Sequence, residues 1–269
     1  MVAEAESSNM KIVTLIENTT MDDRLSSEHG LSLYLEIGQR KILFDAGQTG
    51  AFADNAKKLG VDLRAVDTAV LSHGHYDHGN GFARFLKENS TACIYASHAA
   101  FEQHLNKDNR DIGLNPALKD SHRFIYVDQE MDLGDGITLL CATSMACVEP
   151  IEDYGLKICR NSMAEPDDFS HELYLLVQEE GKRICITGCA HMGIVNIISW
   201  LDPDVVVGGF HFKPVSPESE KLLDAAKAMA KTDRLYYTGH CTGEEQFSVL
   251  KHTLAHCLHS LSTGTIIHL

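Results

Sequence analysis

Residues 71–81 read Leu-Ser-His-Gly-His-Tyr-Asp-His-Gly-Asn-Gly, directly after an apolar strand candidate. Four metal-binding groups, His73, His75, Asp77 and His78, fall within six residues. A strand end is a rigid platform. His73 and His75 alternate around Gly74, so both can face one point. Asp77 and His78 open the following helix and can face a neighbouring point. Imidazole and carboxylate suit zinc, iron or manganese, and ligands divided in this way suit two adjacent ions rather than one. One short loop cannot surround a metal by itself. The fold must therefore carry distant residues to this strand end.

The rest of the chain alternates between strand and helix signals. Residues 11–17 read as a strand, and 31–47 as a hairpin turning at Ile37-Gly38-Gln39. Residues 49–59 read as a helix stopped by Gly60. The strand at 68–72 runs into the histidine loop, and 82–89 continues as an amphipathic helix. A short helix is expected near 98–105, and irregular chain over 106–122. Residues 123–127 and 137–143 look like a second hairpin around Asp-Leu-Gly-Asp-Gly, and 144–170 is a long polar stretch with no period. Such loops inside compact domains are functional or mobile, so this one reads as a lid. Two strands around a Glu-Gly turn follow, then alternating helices and strands to a final strand at 265–269. Paired strands followed by alternating strands and helices, occurring twice, predict an α/β sandwich. Its two sheets face each other and its helices lie outside. Residues 1–10 read as a loose tail and 11–269 as a single domain.

Charge narrows the function. The net charge of −15 argues against a nucleic-acid surface, which needs a basic stripe. It admits an anionic small-molecule substrate, because a metal supplies local positive charge. Eight cysteines form no Cys-x-x-Cys pair, the acidic start lacks a signal-like apolar core, and no apolar run is long enough to span a membrane. The expectation is a cytoplasmic protein with reduced thiols, no membrane partner, and room for homo-oligomerisation.

With the remaining motifs added, the chain resembles the metallo-β-lactamase superfamily. "SHGHYDHGNG" resembles its signature loop, "ILFDAG" the strand ending in an Asp that orients a ligand, here Asp45, "ITGCAH" a later motif strand, and "YTGHC" the last motif with its metal-binding histidine, here His240. The resemblance implies a four-layer αββα sandwich with a one- or two-metal site between the sheets. Cys189 stands where many members have a bridging Asp. His191 lies two residues on, and alternation can aim it at the same site. His171 and Glu172 in "HELYL" are the other candidates to complete the first set, with His191 preferred. "EHGLSLYLE", "TGCAHMGIVNI", "GGFHF" and "TGHCTG" together resemble the branch named after dihydropterin-methyl-(ribofuranosyl)aminobenzene-phosphate synthase.

That branch implies two divalent ions, zinc with manganese or iron as alternatives, and displacement of diphosphate from a dihydropterin by an arylamine. Asp77 is then both ligand and catalytic residue. The alternative is a hydrolase that uses a bridging hydroxide on a phosphodiester, lactone or thioester. A non-catalytic metal-binding or redox protein is the further alternative. His211 and His29 are candidates to reach the pocket, and Arg160 and Lys213 are candidate phosphate contacts; the alternatives are a loop histidine with no task for His211 and ordinary surface groups for the other three. His252, His256 and His259 share helical spacing and read as a solvated or packed helix face.

Overall fold

The computed structural model describes residues 10–269. The tail assigned to 1–9 lies outside the described residues. Met10, counted with that tail, instead opens the first strand and is fully buried.

Two seven-stranded sheets make up the body. The first runs, in spatial order, Ile266–His268, Met10–Ile16, Ser32–Ile37, Arg40–Phe44, Thr68–Val70, Cys93–Ala96, Phe124–Tyr126. The second runs Leu258–Ser260, Leu235–Thr238, Val205–Val207, Lys182–Ile186, Leu173–Glu179, Ile137–Cys141, Met131–Gly134. Each is antiparallel through its hairpins and becomes parallel where helices make the crossovers.

Strand periodicity explains the layers. Successive side chains point to opposite faces. Leu33 and Leu35 enter the layer between the sheets, while Tyr34 faces outward. Likewise Leu173, Leu175 and Val177 point inward, and Tyr174 and Leu176 outward. Both faces are buried, so these strands read as continuous apolar runs. Helices Ala51–Lys58 and Phe82–Glu88 cover the first sheet through Phe52, Ala56, Phe82 and Phe85. Helices Ile194–Leu201, Glu220–Met229 and Glu244–Leu254 cover the second through Ile194, Ile198, Leu222, Met229 and Leu250. The result is the expected αββα sandwich.

Several local expectations change. The segment expected to be a helix near 98–105 is a 3₁₀ turn, His98–Phe101, followed by a strand, Gln103–Leu105. The polar stretch 144–170 contains two strands, Lys157–Arg160 and Met163–Pro166, which join Gln103–Leu105 in a third, small sheet. The second hairpin pairs Met131–Gly134 with Ile137–Cys141, whereas Phe124–Tyr126 closes the other sheet. The C-terminal histidines do not share a helix face. The helix ends at Leu254, so His256 sits in a 3₁₀ turn and His259 in a strand. No helix among the described residues is long and apolar enough to cross a membrane.

Leu175 lies fully buried between the sheets, so Leu175→Ala removes about 2–5 kcal/mol of stability. Leu223, 41% exposed on an outer helix, loses at most about 0.5 kcal/mol as alanine. Urea unfolding of both variants checks the layer assignment, and equal losses would contradict it.

Candidate metal centre

The site forms where chain leaves the C-terminal ends of strands in both sheets. Asp45 follows Arg40–Phe44, His73 follows Thr68–Val70, Cys189 follows Lys182–Ile186, His211 follows Val205–Val207, and His240 follows Leu235–Thr238. Gly188 is fixed by this crowding: a Cβ there would run into Ser72 Oγ and lie 3.0 Å from His73 Nδ1.

Hydrogen bonds determine which ring nitrogens are free. Asp45 is fully buried and accepts from Ser72 N, Ser72 Oγ and His78 Nδ1, each at 2.7 Å. The Ser72 hydroxyl proton is thus directed to Asp45, so His73 Nδ1, 2.7 Å from Ser72 Oγ, must donate to that oxygen. Both histidines therefore turn Nε2 toward the site, and on neutral His73 that nitrogen is unprotonated. Asn18 does the same for His240. Its Oδ1 accepts from His240 Nδ1 at 2.9 Å, and its Nδ2 donates to the His240 carbonyl at 3.2 Å.

Two clusters of potential metal-binding atoms result. In the first, nitrogens of His73, His75 and His191 lie within 4.8 Å of one another. His73 Nε2, His75 Nε2 and both His191 ring nitrogens are buried without a hydrogen-bond partner, as is His211 Nδ1. Buried polar atoms are rarely left so. Burial, reinforced by the neighbouring rings, pushes His73, His75 and His191 well below the ordinary imidazole value, which keeps them in the neutral form that binds metals.

In the second cluster, His78 Nε2 faces His240 Nε2 at 3.1 Å, with Asp77 Oδ2 at 3.9 and 3.4 Å from them. With His78 carrying both ring protons, Nε2–H donates to His240 Nε2, and a divalent cation taking that proton's place would use both nitrogens as ligands. Their separation is close to the edge of about 3.3 Å that tetrahedral zinc with two imidazoles has. Burial opposes charge on His78, but Asp45 and Asp77 outweigh it and raise His78 to about 9. Burial likewise opposes ionisation of Asp77, but His78 and His240 outweigh it and hold Asp77 well below the usual carboxylate range. The pocket thus favours positive charge.

Cys189 stands between the clusters. Its Sγ is 3.2 Å from His78 Nε2 and belongs to donor sets with His73 and His78, with His240 and Cys241, and with His191 and His211. Burial pushes its thiol well above the ordinary range, so a thiolate there needs a neighbouring cation.

Of the alternatives for the first set, only His191 has nitrogens to offer. His171 Nδ1 accepts from Gly74 N and its Nε2 contacts Asp167. Glu172 accepts from the backbone N–H groups of His191 and Met192 and from Tyr174. It holds the His191 turn, and burial raises it to about 7 against the pull of those donors. Asp45 lies behind His73 and His78, bonded to His78 Nδ1 and to Ser72 Oγ. His29 reaches the pocket, with Nε2 3.2 Å from Asp77 Oδ2, and the His211 ring lies 4.1 Å from that of His191. Arg160 is elsewhere, paired with Glu165 and Asp168. Lys213 lines the cavity.

A cavity of about 420 Å³ opens over both clusters, walled by Tyr76, Lys107, Tyr154, Leu156 and Lys213. A second, of about 570 Å³, lies beyond His240 between Glu17, Thr19, Glu244 and Phe247, and shares Lys213 and His240 with the first. Sequence reading missed Ser72, Asn18, Cys241, His104 and Asp167. Ser72 and Cys241 were legible only as neighbours of ligand candidates; the others lie in segments with no motif.

Acid sensitivity follows from the buried rings. His73, His75 and His191 bind protons in the folded state only well below 6.5, and His171 at about 4. The unfolded chain takes those protons up near 6.5. This contribution to stability is therefore complete above about pH 6.5 and declines as pH falls. His78, raised to about 9, works oppositely, but its contribution is lost on the alkaline side; Glu172, raised to about 7, gains stability as pH falls and offsets one of the four histidines. The chelator-treated protein should lose melting temperature steadily from pH 6.5 to 5. A flat or rising profile would contradict neutral buried rings.

The family model described as the metallo-beta-lactamase superfamily matches residues 28–144. The chain is 28% identical to the 7,8-dihydropterin-6-methyl-4-(beta-D-ribofuranosyl)-aminobenzene-5'-phosphate synthase of Methanocaldococcus jannaschii, covering 96% of each chain. A solved metal-dependent hydrolase of the beta-lactamase superfamily is similar at 26% identity, with TM-score 0.83, over 97% of this chain and 99% of that one. Zinc-bound PqqB from Methylobacterium extorquens shares the fold at 12% identity and TM-score 0.58, over 96% and 100%. The chain has the fold of the metallo-beta-lactamase superfamily, whose model matches residues 28–144, and is similar along its length to metal-dependent enzymes of that fold.

Proposed function

We propose that this protein is a dinuclear transferase in which an arylamine displaces diphosphate from the methylene carbon of a dihydropterin. His73, His75 and His191 hold one ion, Asp77, His78 and His240 the other, and Cys189 lies between. The observation that carries the reaction assignment is the full-length similarity to the synthase; the unsatisfied nitrogens of His73, His75 and His191 and the convergence of His78, His240 and Asp77 support the metal assignment. Two divalent ions, zinc with manganese or iron as alternatives, supply Lewis-acid neutralisation of the departing diphosphate.

The chain's own residues supply the rest. The amine nitrogen forms a bond to the methylene carbon, and the carbon–oxygen bond to diphosphate breaks with its electron pair leaving on oxygen. Lys107 and Lys213 line the cavity and bind the anion. Tyr76 and Tyr154 offer flat faces to ring systems. The amine proton goes to His29. Burial lowers His29, against the opposing pull of Asp77, so the ring is neutral. Its Nε2 donates to Asp77, which leaves Nδ1 to accept. Two cavities meeting at His240 and Lys213 give room for two reactants. The eight unpaired cysteines support a cytoplasmic setting.

The second reading is a hydrolase acting on a phosphodiester, lactone or thioester. The 26%-identical structural relative, described as a metal-dependent hydrolase, favours it. Purified protein of measured metal content, given a dihydropterin diphosphate plus an arylamine, should form the coupled product. Turnover of a generic phosphodiester alone would decide for the hydrolase. His73→Ala should lose one ion and lower kcat/KM by at least about 100-fold, as expected when a metal or its positioning is lost. Full metal content with full activity in that variant would remove the metal-centre reading altogether.

A further inference from the structure

Behind the His73-Gly74-His75 turn lies a second buried polar group: His104, Asp167 and His171, exposed by 0%, 3% and 0%. With His75 they form a set of donor atoms within 4.8 Å of one another, which invites reading them as a third metal site. Their hydrogen bonds argue otherwise. His171 Nδ1 accepts the Gly74 N–H at 2.9 Å, so its proton sits on Nε2, 3.3 Å from Asp167 Oδ2. His104 Nε2 faces the Ala99 carbonyl at 3.2 Å, and a carbonyl only accepts, so Nε2 carries a proton. His104 Nδ1 lies 3.2 Å from Asp167 Oδ2, and Asp167 Oδ1 accepts from Phe169 N at 2.9 Å. Every polar side-chain atom of the trio has a partner, unlike the orphaned nitrogens of His73, His75 and His191.

The trio also joins two parts of the fold. His104 belongs to the small three-stranded sheet, and Asp167 directly follows that sheet's strand Met163–Pro166. The same sheet carries cavity-wall residues on its flanks: Asn106 and Lys107 after one strand, Tyr154 and Leu156 before another. The trio packs so closely on the ligand turn that a Cβ on Gly74 would sit 2.5 Å from both His104 Nε2 and the Ala100 carbonyl oxygen.

We propose that His104, Asp167 and His171 are positioning residues that lock the His73-Gly74-His75 turn to the small sheet, so that the substrate wall and the first metal set hold one geometry. This rests on the metal-centre reading above. The turn between two ligands is set by one amide, and that amide is set by His171. Asp167 fixes the ring of His171, and His104 fixes Asp167. Ligand orienters of this kind change metal affinity by about 10–100-fold when removed.

The test compares His171→Leu, His171→Asn and Asp167→Asn with the unsubstituted protein, all first checked for folding by circular dichroism. His171→Asn keeps an acceptor near the Nδ1 position and His171→Leu does not. Three readouts are used: chelator competition for each bound ion, the absorption spectrum of the cobalt(II)-loaded protein, and amide exchange of the peptide containing Gly74. The expected result is that His171→Leu and Asp167→Asn release one of the two ions about 10–100-fold more readily while the other is retained. Exchange at Gly74 quickens, the cobalt spectrum shifts, and His171→Asn recovers most of both effects. Unchanged ion affinity and exchange, or an Asn variant as defective as the Leu variant, overturns the proposal and leaves a packing role. If His171→Leu does not fold, the Asp167→Asn and His171→Asn pair decides by the same readouts. An unsubstituted protein that binds no metal counts against the centre itself, while the Gly74 exchange still judges the trio.

Discussion

The candidate centre depends on one buried carboxylate. Asp45 has 0% exposure and receives three hydrogen bonds at 2.7 Å. A buried charge is tolerated only when its lone pairs are satisfied, and these donors satisfy it. They also carry information into the site. One bond fixes the His78 tautomer, and a second, relayed through the Ser72 hydroxyl, fixes that of His73. A single carboxylate therefore sets which ring nitrogen faces the site for one histidine in each cluster. Its backbone sits at φ 59°, a conformation that Asp tolerates better than most residues. Asp45 N is held by the carbonyl of Val70 on the adjacent parallel strand.

The sandwich explains why the donors converge. Where parallel strands end, chain turns outward into loops, and ligand crevices form at those carboxyl ends. Both sheets place such ends on one side, and five of them carry Asp45, His73, Cys189, His211 and His240. Rigid strands give precision, and short loops give reach. The close approach needs small residues, as at Gly188 beside Ser72 and His73.

What the sequence made legible follows the same division. The β-then-α order of both halves was readable because their strands are buried on both faces and apolar along their length. The histidine loop was readable because its donors are local. The small sheet was not. Its strand Met163–Pro166 is exposed at every residue, so no apolar alternation marks it, and its pairing reaches back to Gln103–Leu105 only through Lys157–Arg160. His104 and Asp167 stayed hidden for a related reason: they meet across 63 residues of sequence, with no spacing to signal it. The choice among His191, His171 and Glu172 was also beyond sequence. All three lie near the site, and only the pattern of hydrogen bonds separates a free nitrogen from an engaged one.

Charge closes the argument. A chain of net charge −15 has no general attraction for anions, and beyond a Debye length of about 8 Å its field is screened at physiological salt. Recognition of an anion must therefore be local. The cavity wall offers Lys107 and Lys213, while its floor holds Asp77 and, just behind, Asp45. Those two carboxylates raise His78 despite complete burial, which measures how strongly the floor demands a positive charge. The buried neutral rings of His73, His75 and His191 cannot supply it, because burial disfavours their protonation. The divalent ions proposed above would meet both requirements together: they would neutralise the carboxylates and take the buried ring nitrogens as ligands. The same burial that makes these histidines poor bases keeps them in the neutral form suited to a metal, and the acidic floor favours a cation beside them.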